Sequence, residues 1–108
     1  PNKSANKIFI IQSIDRHMSL DDIASARGLD TEELMTEIEG IVASGTKLNL
    51  DYYIQENLDD DIVEDIYGYF KNEAESDSLE KALEDLESDY SEMEIRLVRI
   101  KFLCEIAS

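Results

Sequence analysis

Few side chains in this sequence could do chemistry, and none of them has the neighbours that the chemistry needs. His17 is the one histidine and lies in a polar turn, where a solvated residue is favoured over a metal ligand or a catalytic base. Cys104 is the one cysteine and lies in an apolar stretch without an adjacent base, so a small core residue is favoured over a nucleophile. The sequence therefore predicts no catalytic residue and no enzyme activity for this segment.

The acidic runs could hold a cation, but their spacing does not fit a known site. In the best window, which starts at Asp85, Tyr90 stands where a calcium loop needs glycine, and Arg96 stands where it needs a bidentate acid. Residues 59–61, three consecutive aspartates, are better explained as negative charge at the start of a helix. The sequence also lacks a glycine-rich phosphate loop that ends in Gly-Lys-Ser/Thr. We therefore predict no metal-binding residue and no cofactor-binding residue.

The net charge limits which partners the chain can hold. The 26 Asp and Glu against 10 Lys and Arg give a formal net charge of −16. Residues 1–54 carry five basic and nine acidic residues, net −4, and residues 55–108 carry five and 17, net −12. A field of this sign repels the phosphates of nucleic acid and favours a basic protein. The predicted acidic docking face consists of Glu80, Glu84 and Glu87.

Composition and length are those of one folded domain. Hydrophobic residues make up 43% and charged residues 33% of the 108 positions. No apolar run approaches the ~20 residues of a membrane span, and a single cysteine suits a reducing compartment, so we expect a soluble, cytoplasmic chain. Because the sequence starts at Pro1 without an initiator methionine, we expect it to be a fragment of a longer protein.

Hydrophobic spacing and capping residues predict about six helices. The first ends near Asp15, the second runs from Ser19 to Gly28, and the third runs from Asp30 or Thr31 to Gly45. Three more helices are predicted. One begins after the aspartates at 59–61, one begins after Ser78, and one begins after Ser91, which forms a capping box with Glu94. Between them, residues 46–54 alternate with period two, which predicts one strand or wing. The expected fold is mainly α, a winged-helix-like bundle.

The segment from Leu20 to Ile38 has the spacing of a helix-turn-helix. Ala24 lets two helices approach closely, Gly28 makes the tight turn, and Leu29 lies where it can lock the second helix across the first. A generic helical hairpin fits these residues equally well. The second helix argues against DNA reading, because its polar positions are carboxylates that a phosphate lattice repels. These positions are Glu32, Glu33, Glu37 and Glu39.

Four strings in the sequence are distinctive when taken together: IIQSIDR (10–16), SLDDIASARGLDTEEL (19–34), SGTKLNLDYYI (44–54) and DYSEMEIRLVRIKFL (89–103). They resemble the C-terminal helix-turn-helix region of bacterial RecQ-type ATP-dependent DNA helicases. The resemblance implies a parent that unwinds duplex DNA in the 3′ to 5′ direction with ATP and magnesium, in recombination and repair. It also implies a bacterial, nucleoid-associated protein. No catalytic or nucleotide-binding residue of the family carries over to this segment.

The resemblance also implies a domain arrangement. Residues 1–108 would form one C-terminal helix-turn-helix domain, with a helix-turn-helix core and strand at 1–54 and an acidic three-helix extension at 55–108. The cofactors of the parent, ATP and magnesium, would bind outside this segment.

Two hypotheses of function remain open from the sequence. The first is a non-catalytic accessory domain that places or regulates the helicase motor through protein contacts or weak DNA contacts. The second is an acidic interaction module that docks a basic partner, such as the parent's own motor domains or another repair protein, without binding DNA. The candidate DNA or partner contacts are basic residues at the start of the chain, at the two ends of the second helix of the helix-turn-helix and in a cluster on the last predicted helix: Lys3, Lys7, Arg27, Lys47, Arg96, Arg99 and Lys101.

Overall fold

The structure is mainly helical. The computed structural model describes residues 3–106, with side chains from residue 5 onward. Within that range it has seven α-helices, a π-helical turn and no β-strand. The elements are α1 (Lys3–Asp15), α2 (Leu20–Ala26), α3 (Thr31–Ala43), α4 (Asp51–Asn57), α5 (Asp60–Gly68), the π-turn (Tyr69–Glu73), α6 (Leu79–Leu86) and α7 (Glu92–Ile106). The chain divides into an N-terminal unit, Pro1–Tyr53, and a C-terminal unit, Ile54–Ser108.

The N-terminal unit packs α1, α2 and α3 against one another. Each helix contributes side chains that are almost fully inaccessible to solvent, because its apolar positions recur every three or four residues. These core residues are Ile10, Ile14, Leu20, Ile23, Leu34, Met35 and Ile38. The helical spacing seen in the sequence thus corresponds to one apolar face on each helix.

Helices α2 and α3 of this unit end in the same hydrogen-bonded turn, each with a glycine in the left-handed conformation. After α2, Gly28 has φ +67°, its N–H donates to the Ser25 carbonyl at 3.2 Å, and the Leu29 N–H donates to the Ala24 carbonyl at 2.9 Å. This is the Schellman arrangement, which needs a left-handed residue just after the helix. Gly45 takes that place after α3, with φ +103°. The predicted glycine stops at both positions are confirmed.

The C-terminal unit is built around α7. The side chains of α7 are buried around most of its circumference, including Ile95, Leu97, Val98, Ile100 and Phe102. Helices α5 and α6 and the π-turn all contact it. Phe70 of the π-turn stacks on Phe102 with ring centroids 5.6 Å apart. A helix that is buried around most of its circumference needs neighbours on most sides, which explains its central place in this unit.

The local capping signals are also confirmed. Ser19 and Ser78 each accept a hydrogen bond from the backbone N–H three residues later. Asp30 and Glu33 form a reciprocal capping box at the start of α3. Ser91 and Glu94 do the same before α7, with reciprocal bonds of 2.9 and 3.1 Å. Such caps satisfy backbone N–H groups that the first helical turn leaves unpaired.

The predicted strand from Thr46 to Ile54 is wrong. Residues 46–50 have no regular structure, and the residues after them form α4. Leu48 and Leu50 are buried and Asn49 is exposed, so the alternation is real, but it belongs to a connecting segment rather than a strand or wing. The Asn49 side chain accepts the Asp51 N–H at 3.0 Å and thereby starts a helix instead.

Candidate functional site

The exposed surface of α3 is the part of a helix-turn-helix that would meet a nucleic acid. Here α3 presents Glu32 and Glu33 as exposed residues and Glu37 and Glu39 as half-buried ones. Glu33 is held by the capping box, where its carboxylate accepts the Asp30 N–H at 3.0 Å. A helix that carries four carboxylates repels a phosphate lattice and lacks the Arg, Lys, Asn or Gln that pair with base edges.

The candidate contact residues of the N-terminal unit lie on α1 and in the segments that precede and follow α3. Lys7 and Lys47 are exposed. Arg27 is half-buried, its Nε donates to Asn6 Oδ1 at 2.7 Å, and its guanidinium lies 5.1 Å from the centroid of the Phe9 ring. The side chain of Lys3 lies outside the described residues. Arg27 therefore has its geometry set by α1, whereas Lys7 and Lys47 extend into solvent.

The basic residues of α7 are engaged within the C-terminal unit. Arg96 is only 6% exposed, and its guanidinium donates to Glu92 at 3.2 Å. Arg99 donates from Nε to the Asp77 carbonyl at 2.6 Å. Lys101 donates to Glu105 at 2.7 Å. The ion pairs compensate the charges of Arg96 and Lys101, and burial leaves little guanidinium surface at Arg96 for a phosphate.

The predicted acidic docking face lies on the solvent side of α6 and just after it. Glu80, Glu84 and Glu87 are all exposed. Lys81 lies among them, with its ammonium 3.8 Å from Glu84 and 3.4 Å from Asp85. Exposed pairs of this kind contribute little free energy, so the face keeps a negative potential.

Beside this face the C-terminal unit contains an open acidic cleft of about 470 Å³, which sequence reasoning missed. Carboxylates and two tyrosines line it, and the described residues that line it include no Lys or Arg: Asp65, Tyr69, Glu73, Asp85, Leu86, Asp89 and Tyr90. Tyr69 donates its hydroxyl to Asp85 at 2.6 Å, and Tyr90 donates to Asp65 at 2.9 Å. Both pairs join residues distant in the sequence, so only tertiary packing reveals the cleft.

These hydrogen bonds shift the ionisation of the cleft residues. Burial, followed by the bond to the Asp85 carboxylate, raises the pKa of Tyr69 to about 12. The same bond, together with the nearby Lys81 ammonium, lowers the pKa of Asp85. The bond to Asp65, followed by burial, raises the pKa of Tyr90. At neutral pH the cleft therefore holds protonated tyrosines against an ionised Asp85.

His17 packs against an aromatic ring, and Cys104 is a buried residue of α7. His17 is exposed, has φ +62°, and stacks on Tyr52 with ring centroids 4.6 Å apart. The Tyr52 hydroxyl donates to the Met18 carbonyl. Cys104 is buried at 9% exposure. Across the part of the chain that the structure describes, no group of three or more His, Cys, Asp or Glu side chains is arranged to hold a metal ion.

Among residues 3–106, no helix has both the length and the apolar character needed to cross a bilayer.

Comparison with known families agrees with the helix-turn-helix geometry. Residues 4–54, just under half of the chain, match the model described as "RecQ-1-like, helix-turn-helix domain". The match covers α1, α2, α3 and the first residues of α4. It confirms the RecQ-type helix-turn-helix region that the sequence resembles. A search of curated proteins finds no match to the chain.

Proposed function

We propose that the chain is a non-catalytic accessory segment of a RecQ-like helicase, because residues 4–54 match the RecQ-1-like helix-turn-helix model. In this proposal it positions or regulates the helicase motor through protein contacts, and any contact with DNA is weak. The parent helicase would bind ATP and magnesium in its motor domains and act in recombination and repair in the bacterial cytoplasm. A shared fold does not by itself assign this role, and the charges on the surface of the chain support it.

The observation that carries the proposal is the acidic surface of α3. A DNA-reading helix needs donors that reach base edges and cations that meet the phosphates. Helix α3 offers carboxylates at Glu32, Glu37 and Glu39, with Glu33 fixed in a cap. The scaffold of a DNA reader is therefore combined with a surface that favours a protein.

Weak DNA contact through the basic ends is the finer part of this proposal. Lys7 and Lys47 are exposed, and each neutralised phosphate would contribute to binding that falls with salt. Titration of the chain with labelled single-stranded, duplex and forked DNA tests it. Micromolar binding with a steep salt dependence would support the contact, and absence of binding at about 50 mM salt would exclude it.

A second candidate function is an acidic module that docks a basic partner without binding DNA. It is supported by the exposed carboxylates Glu80, Glu84 and Glu87 and by the neighbouring acidic cleft. A basic partner gains both affinity and association rate from such a field, and the gain falls with ionic strength. The parent's own motor domains and other repair proteins with basic surfaces are the partners to test.

Calorimetric titration of the chain with the separately expressed motor domains tests this docking. Reversing Glu80, Glu84 and Glu87 to Lys should weaken the complex by at least about tenfold and reduce its salt dependence. Unchanged affinity after the triple reversal would count against this face. Reading the parent sequence upstream of Pro1 supplies an independent check, because the proposal requires a phosphate-binding loop and a DEAH-like acidic motif there.

A further inference from the structure

Helices α5 and α7 of the C-terminal unit line a shallow, open and predominantly apolar groove of about 350 Å³. It is distinct from the acidic cleft and from the exposed face of α6, because none of its lining residues belongs to either. Val63, Glu64, Tyr67 and Gly68 line it from α5, and Lys101 and Glu105 line it from α7. Apolar surface in a concave setting is typical of sites that take a helix or a peptide.

One wall of this groove is held in place by contacts within the unit. The Tyr67 ring meets Phe102 edge to face, with centroids 5.5 Å apart. Its hydroxyl donates to Glu105 Oε1 at 2.9 Å, while Lys101 donates to Glu105 Oε2 at 2.7 Å. A wall fixed before binding reduces the entropy that a partner must overcome.

Gly68 has no role inside the chain that requires a glycine. Its backbone is helical, with φ −60° and ψ −36°, and a Cβ added there meets nothing within 4 Å. Glycine destabilises a helix relative to alanine, so this position loses stability without a packing gain. The missing side chain does leave the helix backbone uncovered at the groove, where another backbone can approach closely.

The charge around the groove selects the partner. Glu64 is exposed, and Lys101 is the one cation among the described residues of the lining, where it is paired with Glu105. Residues 55–108 carry a net charge of −12. An apolar groove in such a field favours a ligand with an apolar stripe and basic flanks.

We propose that the groove around Gly68, here called the Gly68 groove, docks a basic amphipathic helix of a partner protein. The apolar stripe of that helix packs on Val63 and Tyr67, its backbone passes close to Gly68, and its basic flank faces Glu64. This inference rests on the proposed function, since it names the partner chemistry for a segment that acts through protein contacts.

The first experiment uses the isotope-labelled 108-residue chain and a synthetic peptide of leucine and lysine, ~18 residues long, with leucines at i, i+3, i+4 and i+7. The control peptide has the same composition with leucine and lysine alternating, so its charge is equal but it has no helical apolar face. We expect NMR shifts at Val63, Tyr67 and Gly68 with the helical peptide, and much weaker binding of the control. Equal binding of both peptides, or shifts confined to the acidic cleft, would overturn the proposal.

Variants with matched controls test the groove itself. Gly68→Leu fills it and should weaken peptide binding by about tenfold. Gly40→Leu places the same change on α3 at another helical glycine with nothing within 4 Å of its added Cβ, and should leave binding unchanged. Gly68→Ala should raise Tm by about 4 °C while still weakening binding, which separates the groove from a folding defect. Wild-type affinity in both Gly68 variants would contradict the docking site.

Charge is tested in the same way. Glu64→Lys should weaken peptide binding several-fold, whereas Glu75→Lys, an equal change at an exposed residue outside the groove, should have a smaller effect that added salt removes. Equal effects would contradict the assignment of the basic flank to Glu64.

Titration of the chain with the motor domains then distinguishes a failure of the Gly68 groove from a failure of the proposed function. If Gly68→Leu leaves motor binding intact, the Gly68 groove is wrong and the proposed function stands. If the unsubstituted chain does not bind the motor domains, the proposed function fails and the peptide experiments alone decide the groove.

Discussion

At the scale of single residues, His17 has a structural role, although histidine is a residue type that often binds metals or acts in catalysis. It has the left-handed conformation just after α1. Its N–H donates a hydrogen bond to the Ile14 carbonyl at 2.9 Å, and the Met18 N–H donates to the Ser13 carbonyl at 3.0 Å. Glycine serves this position more commonly, because a side chain there costs free energy. Stacking on Tyr52 compensates part of that cost.

Two substitutions at His17 separate the backbone cost from the stacking gain. His17→Ala loses the ring contact and keeps the left-handed strain, so it should lower the free energy of unfolding by about 1 kcal/mol. His17→Gly loses the ring but removes the strain, and should lie within about 0.5 kcal/mol of wild type. Urea denaturation at neutral pH measures both. Equal losses for Ala and Gly would contradict the left-handed conformation.

The raised pKa of Tyr69 makes the free energy of unfolding depend on pH in the alkaline range. Burial, then the bond to Asp85, raises its pKa from 10.0 to about 12 in the folded chain. The folded state therefore keeps a proton that the unfolded state releases, so this stabilisation is present below pH 10 and is lost as pH rises from 10 to 12.

We expect Tyr69→Phe to flatten this alkaline loss of stability. Unfolding free energies of wild type and variant, measured by urea at pH values below and within that window, give the comparison. Tyr52, whose pKa burial also raises to about 12, should retain its own share of the pH dependence in the variant. An unchanged loss in Tyr69→Phe would show that the tyrosine does not carry it.

At the scale of helices, the elements that could be predicted are those whose ends have local signals. A Ser or Asp that caps the third residue after it, and a glycine just past the last turn, act over three to five positions and are visible in the sequence. Helix α4 was missed because Tyr52 and Ile54 fit a period of two as well as a helix. The Asn49 bond to the Asp51 N–H, which decides between them, has no distinctive sequence pattern.

The capping box of α3 should be worth a measurable part of the stability of the N-terminal unit. Asp30→Ala removes the acceptor of the Glu33 N–H, a bond of 2.7 Å, and should cost about 1 kcal/mol. Asp30→Ser keeps a side-chain acceptor and should cost much less. Urea denaturation compares the two, and an Ala variant as stable as the Ser variant would argue against the cap.

The sequence predicts the acidic surface of α3, but it does not predict the acidic cleft or the burial of Arg96. The acids of α3 could be placed on its surface because the apolar positions define the opposite face. The acidic cleft could not, because it pairs Tyr69 with Asp85 and Tyr90 with Asp65 across separate elements. The burial of Arg96 was hidden for a similar reason, since α7 is covered on nearly all sides.

At the scale of the whole chain, the net charge of −16 has a definite distribution. Residues 55–108 carry most of it, and α3 adds carboxylates at the position from which a helix-turn-helix would read bases. A scaffold shared with DNA-reading domains and a surface that repels DNA are therefore compatible within one chain. This charge distribution supports the proposal that the chain is an accessory segment of a RecQ-like helicase and acts through protein contacts.

The most direct test of this account is a fluorescence-anisotropy titration of the chain with duplex and forked DNA at about 50 mM salt. We predict binding in the micromolar range or weaker, without sequence preference, and unchanged by Thr36→Ala on the exposed surface of α3. Submicromolar, sequence-dependent binding that Thr36→Ala weakens would contradict the account, because it would place α3 in a DNA groove.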